Sequence, residues 1–261
     1  MRPVPGPGFV IGVDFGGTKV AVASATLRGE IVKQVRFDTD AARGAEQAVC
    51  RAGEACRAMM AEMEAEGGGT CFAAGVVCPG IVQRDRIALA PNVPGWEDLA
   101  LQDVMQEQLG VAAVAVGNDV NAAGLAELRW GALAGADPAV FLSLGTGVAA
   151  AVLAGGRVLA GAHGAAGELG YSLCGPAEGR AFADGRAPLE ESAGGRFIGA
   201  RASGLLHRSV SAEDAFAAPP SLVCARFLHD AALRGAIALA LDLPAARSEA
   251  VPELATSPRR G

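Results

Sequence analysis

Two glycine–threonine turns constrain this chain more than any other feature. Gly16-Gly17-Thr18 separates an apolar run at 9–14 from a second at 19–25. Gly145-Thr146-Gly147 separates runs at 139–144 and 147–153. Short apolar runs bounded by glycine turns predict strands. A third strand is predicted after each hairpin, at 30–37 and at 157–160, the latter reached through Gly155-Gly156. A βββ order used twice predicts a duplicated α/β architecture with a cleft between two lobes.

Between the two hairpins, helix and strand signals alternate. Apolar positions at helical spacing over 43–66 predict a helix, stopped by Gly67-Gly68-Gly69. A strand is predicted at 71–77, followed by a Pro79-Gly80 turn. A loop at 90–98 leads to a helix near 98–109, then to a strand at 112–116 ending at Gly117-Asn118-Asp119, then to a helix at 120–132. The remainder reads as mostly helical with glycine-rich breaks.

Composition narrows the function classes. The net charge is −6, which argues against sequence-independent nucleic-acid binding, because that needs clustered Lys and Arg. It leaves anionic ligands open, since backbone N–H groups hold phosphate without net positive charge. No run supplies about 20 apolar residues free of charge, so no membrane span is expected. A cytoplasmic protein is the expectation. Cys50, Cys56, Cys71 and Cys78 sit among apolar neighbours and read as small buried thiols. The three histidines are not paired at ligand spacing, and no zinc site is expected.

Four motifs carry chemistry. In Asp14-Phe15-Gly16-Gly17-Thr18-Lys19 the glycines leave no Cβ in the way, so backbone N–H groups can approach phosphate oxygens. Thr18 adds a hydroxyl, and Asp14, at a strand end, can hold Mg2+ through water. Lys19 either adds charge or is a solvated strand residue. Gly145, Thr146 and Gly147 repeat the pattern, and a facing pair of such turns would clasp one polyphosphate. In Asn118-Asp119-Val120-Asn121, Asp119 either caps a helix or takes a proton from a hydroxyl attacking phosphorus. In the small-residue loop Gly161 to Tyr171, Glu168 is placed to accept hydroxyl protons, and Glu190 adds a second carboxylate. Surface acids are the bland reading of both.

In this order, with Cys78-Pro79-Gly80 and Pro91-Asn92-Val93-Pro94-Gly95-Trp96, the motifs resemble the ROK family of bacterial sugar kinases, glucokinase-like members above all. The resemblance covers about residues 9–200. It implies the actin-like ATPase (ribonuclease H-like) α/β fold, with two lobes of mixed β-sheet flanked by helices and an interdomain cleft for ATP and sugar. The lobes would be 1–118 and an incomplete 119–243, with a disordered tail at 244–261. The resemblance makes Asp119 the catalytic base and Asn118, Glu168, Glu190, Asn92 and Gly80 sugar ligands. Asp14, Gly16, Gly17, Thr18, Lys19, Gly145, Thr146 and Gly147 become the phosphate loops for ATP and Mg2+. It also implies a small-molecule sugar partner and a homodimer, while the acidic charge and the lack of a long apolar run leave no nucleic acid or membrane expected as a partner.

The chain departs from the family pattern in three places. Tyr171 stands where most members carry His, and Gly175 to Pro188 holds no cysteine, so the family zinc loop is not expected. Tyr171 then replaces the sugar-touching imidazole. The second turn continues as Val148-Ala149-Ala150-Ala151 rather than with further glycine, so its methyl groups either crowd a phosphate or face the sheet. After 224–242 the adenosine-contacting strand and turn of the family are not found. The rival expectation is therefore a catalytically weak sugar-binding or regulatory protein.

Overall fold

The computed structural model describes residues 8–83, 85–90, 94–97, 99–145, 147–172, 186–207, 209, 226–227, 230–244 and 246. The chain divides into two compact units. One holds the residues up to Ala122 together with those from Ala232 onward, and the other is Ala123–Ala231.

The first unit is built on a mixed five-stranded sheet. Its strands are β1 (Gly8–Phe15), β2 (Lys19–Thr26), β3 (Ile31–Asp38), β4 (Thr70–Cys78) and β7 (Val114–Asn118), in the order β3-β2-β1-β4-β7. β1 pairs antiparallel with β2 and parallel with β4, and β4 pairs parallel with β7. The near-continuous apolar run of β1 marks a strand covered on both faces. Phe9, Ile11, Val13 and Phe15 point to one face, where α1 (Gly44–Ala65) supplies Ala45, Ala48, Val49, Ala52, Cys56, Met59 and Met63. Those positions recur at helical spacing, so one stripe of α1 faces the sheet. α2 (Leu101–Leu109) adds Leu101, Met105 and Leu109 to the same core.

The opposite face is lined by glycine. A Cβ on Gly75 would collide with the Ala236 carbonyl and lie 3.0 Å from the Ala240 N. A Cβ on Gly12 would lie 3.2 Å from the Leu233 carbonyl oxygen. Both partners belong to the last described helix, α6 (Ala231–Asp242). Its backbone rests directly on the sheet, which is why residues from Ala232 group with the first unit. The expected boundaries therefore differ from the observed ones. The division falls within α3 (Asp119–Trp130), not before it, and α6 leaves the second lobe. Ala246, expected in the unstructured tail, is buried and its N–H donates to the Leu243 carbonyl at 3.1 Å. Residues 247–261 lie outside the described ones.

Two short strands escaped the sequence reading. β5 (Ile81–Val82) and β6 (Ile87–Ala88) form a small hairpin after the Pro79-Gly80 turn. Gly80 takes φ +91°, and a Cβ there would lie 2.6 Å from the Ala88 carbonyl oxygen, so the turn requires glycine.

The second unit repeats the opening motif. β8 (Ala139–Leu144), β9 (Val148–Ala154) and β10 (Arg157–Val158) form an antiparallel sheet in the order β10-β9-β8. Gly155 and Gly156 both have positive φ, as a two-residue hairpin turn demands. Ala151 is fully buried, and Gly124 of α3 leaves it room. The alanine there faces the core, the second of the two expectations for that run. α4 (Pro188–Ala193) and α5 (Gly195–Leu206) complete the described elements.

Candidate active site

Three parallel strands of the first unit end side by side. The register pairs Asp14 with Val77, Val77 with Gly117, and Cys78 with Asn118. Asp14, Cys78, Asn118 and Asp119 therefore collect at the carboxyl ends of β1, β4 and β7. In open α/β sheets ligands bind at that end.

The capping role that the sequence left open for Asp119 falls to its neighbour. The Asn118 side chain caps α3, its Oδ1 accepting from the Asn121 N–H at 2.9 Å. Its Nδ2 donates to the Gly80 carbonyl at 3.0 Å, which ties the Pro79-Gly80 turn to the start of α3. Asp119 accepts from the Val120 N–H at 2.9 Å and begins the helix rather than capping it. Burial pushes its carboxyl above the ordinary range, against the lowering effect of the Val120 N–H and its own N–H. Cys78 is fully buried beside it. Its thiol is pushed up by burial first, then by the charges of Asp119 and Asp14, which places both carboxylates close to it.

The first glycine turn is exposed at Gly17, Thr18 and Lys19. The Gly16 N–H donates to the Lys19 carbonyl at 2.9 Å, and a Cβ on Gly16 would crowd that oxygen at 2.8 Å. Thr39 binds the turn from behind. Its N–H donates to the Thr18 carbonyl at 2.9 Å and its hydroxyl to the Gly16 carbonyl at 2.7 Å. The N–H groups of Gly17 and Thr18 carry no hydrogen bond among the described residues. Adjacent exposed N–H groups with the turn's carbonyls tied back form an anion-binding concavity. Sequence reading missed Thr39, since only the β2–β3 pairing brings it to the turn.

In the second unit the other turn is arranged differently. The Gly145 N–H donates to the Gly147 carbonyl at 3.1 Å, and the Gly145 carbonyl accepts from the Gly195 N–H at 2.9 Å. The Val148 N–H donates to Glu190 Oε2 at 3.1 Å. A Cβ on Gly147 would collide with that carboxylate, and one on Gly170 would lie 3.1 Å from it. Glu190, expected among sugar ligands, thus sits against a turn expected to hold phosphate. Its carboxylate already uses one donor there, so this turn has less capacity for an anion than the first. Tyr171 joins the group: burial raises its hydroxyl, and the charges of Glu168 and then Glu190 raise it further. The loop that presents Glu168 is fastened to β9 by the Ala150 N–H, which donates to the Gly167 carbonyl at 2.8 Å. Gly167, at φ +95°, has no room for a Cβ against the Ala150 carbonyl.

Asn92 and Thr146 lie outside the described residues, as does the 173–185 segment on which the zinc expectation rests. The other predicted site residues fall into two groups, one per unit. Asp14, Gly16, Gly17, Thr18, Lys19, Gly80, Asn118 and Asp119 belong to the first, and Gly145, Gly147, Glu168, Tyr171 and Glu190 to the second.

The model of the ROK family matches residues 10–214. The chain belongs to the ROK family. Glucokinase of Thermotoga maritima is 34% identical over 169 residues, which are 64% of this chain and 51% of that protein. A ROK hexokinase from Thermus thermophilus superposes with a TM-score of 0.71 at 28% identity, over 89% of this chain and 97% of that one. A ROK glucokinase from Streptomyces griseus, solved with glucose and AMPPNP, gives a TM-score of 0.61 at 30% identity, over 77% of this chain and 62% of that one. The chain spans about half the length of the curated ROK relatives it matches. Its mixed sheet with flanking helices is the actin-like ATPase fold of the ROK kinases.

Proposed function

We propose that this chain carries the site of an ATP-dependent hexose kinase acting on the primary hydroxyl of a glucose-like sugar. The observation that carries the reading is the pairing, in one unit, of an exposed turn whose Gly17 and Thr18 N–H groups carry no hydrogen bond among the described residues and a carboxylate of raised pKa at the same end of the sheet. The names of the relatives support it.

In this reading the Gly17 and Thr18 N–H groups hold phosphate oxygens, with the Thr18 hydroxyl and Lys19 beside them. Gly145, Thr146 and Gly147 are the weaker phosphate candidate. Asp119 takes the proton of the sugar hydroxyl as its oxygen attacks the γ-phosphorus. The bond from that phosphorus to the bridging oxygen breaks, and ADP leaves with the electron pair. A desolvated carboxylate suits this task because it binds a proton more tightly than an exposed one. Mg2+ bound with the nucleotide would supply charge neutralisation, and the half-buried carboxylate of Asp14, two residues before the turn, fits as its holder through water. Asn118, Gly80 and Asn92, with Glu168, Tyr171 and Glu190, are the proposed sugar ligands. Each half of the Asn118 amide already has one partner and keeps capacity for one more.

The test is ADP release with MgATP and a panel of hexoses: glucose, its epimers and N-acetylated hexoses. Sugar-dependent release that disappears in Asp119→Asn supports the proposal. Sugar binding with no release for any member of the panel supports the sugar-binding reading instead.

A further inference from the structure

The first glycine turn owes its orientation to a residue outside it. Thr39 follows β3 and is 2% exposed. Its hydroxyl donates to the Gly16 carbonyl at 2.7 Å. In a trans peptide the carbonyl and the next N–H point in opposite directions. Fixing the Gly16 oxygen toward Thr39 therefore fixes the Gly17 N–H away from Thr39. The Thr39 N–H fixes the Thr18 carbonyl in the same sense, at 2.9 Å. Glycine on both sides of the Gly16–Gly17 peptide makes rotation of that group easy unless something holds it.

We propose that Thr39 is a positioning residue for anion binding at this turn, its hydroxyl holding the Gly16–Gly17 peptide so that the Gly17 N–H meets a nucleotide phosphate. This rests on the reading that the turn takes phosphate. It does not need catalysis. Thr39→Val keeps shape and burial but removes the donor, which leaves the Gly16 carbonyl unsatisfied and the peptide free to turn. Thr39→Ser keeps the donor.

Equilibrium titration of the full chain with MgATP, and separately with inorganic tripolyphosphate, tests the inference. Thr39→Val is expected to weaken both about tenfold, the effect of losing one well-placed hydrogen bond. Glucose affinity should stay within about twofold, and Thr39→Ser should restore anion affinity to within about threefold. Thr39→Cys, a weaker donor, should fall between the two and serves as a second reading if the valine variant does not fold. Unchanged anion affinity in Thr39→Val overturns the proposal. So does a parallel loss of sugar binding, or a serine variant as weak as the valine one. If the wild-type chain binds neither anion, the phosphate reading of the turn falls and the role of Thr39 falls with it. If it binds both but transfers phosphate to no hexose, only the kinase reading fails, and the Thr39 comparison stands on the affinities.

Discussion

Asp119 is held where folding and its proposed chemistry want opposite things. Burial raises its proton affinity, so the ionised form costs stability in the folded chain. That cost is absent below the unfolded pKa, grows as pH rises through the folded value, and is complete above it. Asp119→Asn keeps an acceptor for the Val120 N–H and removes the charge. It is expected to raise the melting temperature at neutral pH while lowering phosphoryl transfer by about a thousandfold, with sugar affinity retained. Calorimetry and the ADP assay read the two effects together, and a variant that keeps most of its transfer rate removes Asp119 from the base role. Because only the ionised form accepts a proton, the acid limb of kcat/KM should lie above the pH of an ordinary aspartate. The thiols follow the same physics. Burial pushes Cys56 and Cys71 up to about 12, and both are inert packing residues. Cys50 differs from expectation: it is exposed on α1, because the apolar stripe runs through Val49 and Ala52 instead.

At the scale of elements, the sheet of the first unit is asymmetric. One face is packed by side chains from α1 and α2, the other by the backbone of α6 against Gly12 and Gly75. Overpacked cores usually lose about 1–3 kcal/mol. Gly75→Ala belongs at the upper end, because the methyl would meet main chain that no rotamer change can move. A loss of about 3 kcal/mol in denaturant unfolding is expected. A loss under about 1 kcal/mol would mean that α6 lifts away at little cost. Periodicity could not reveal this contact. An isolated glycine in a strand signals close backbone approach, but not which element approaches. Glu127 was hidden for a related reason. It is fully buried, and its carboxylate accepts from the Ala132 and Phe227 N–H groups, each at 2.7 Å. The Phe227 partner is far away in sequence. On α3 the residue reads as one more surface acid.

At the scale of the whole molecule, the second sheet ends on β8 among the described residues. Val140, Leu142 and Leu144 on that strand are 58%, 50% and 58% exposed. An apolar stripe on an edge strand invites pairing with other chains. Leu142→Lys is expected to lower concentration-dependent light scattering with far-UV circular dichroism unchanged; equal scattering would show that this edge is not the contact.

The longer strands, both glycine turns and the βββ repeat were legible in the sequence, because local backbone preference and apolar period act within a few residues. The four motifs also carried the family and its fold. Tertiary structure alone decided which partners those residues meet. It gave the helix cap to Asn118 rather than Asp119, since the capping choice depends on where β7 stops. It moved Glu190 beneath the second turn, and it brought Thr39 to the first through the β2–β3 pairing. Contacts between residues distant in sequence arise when strands pair and faces pack. No local pattern records them.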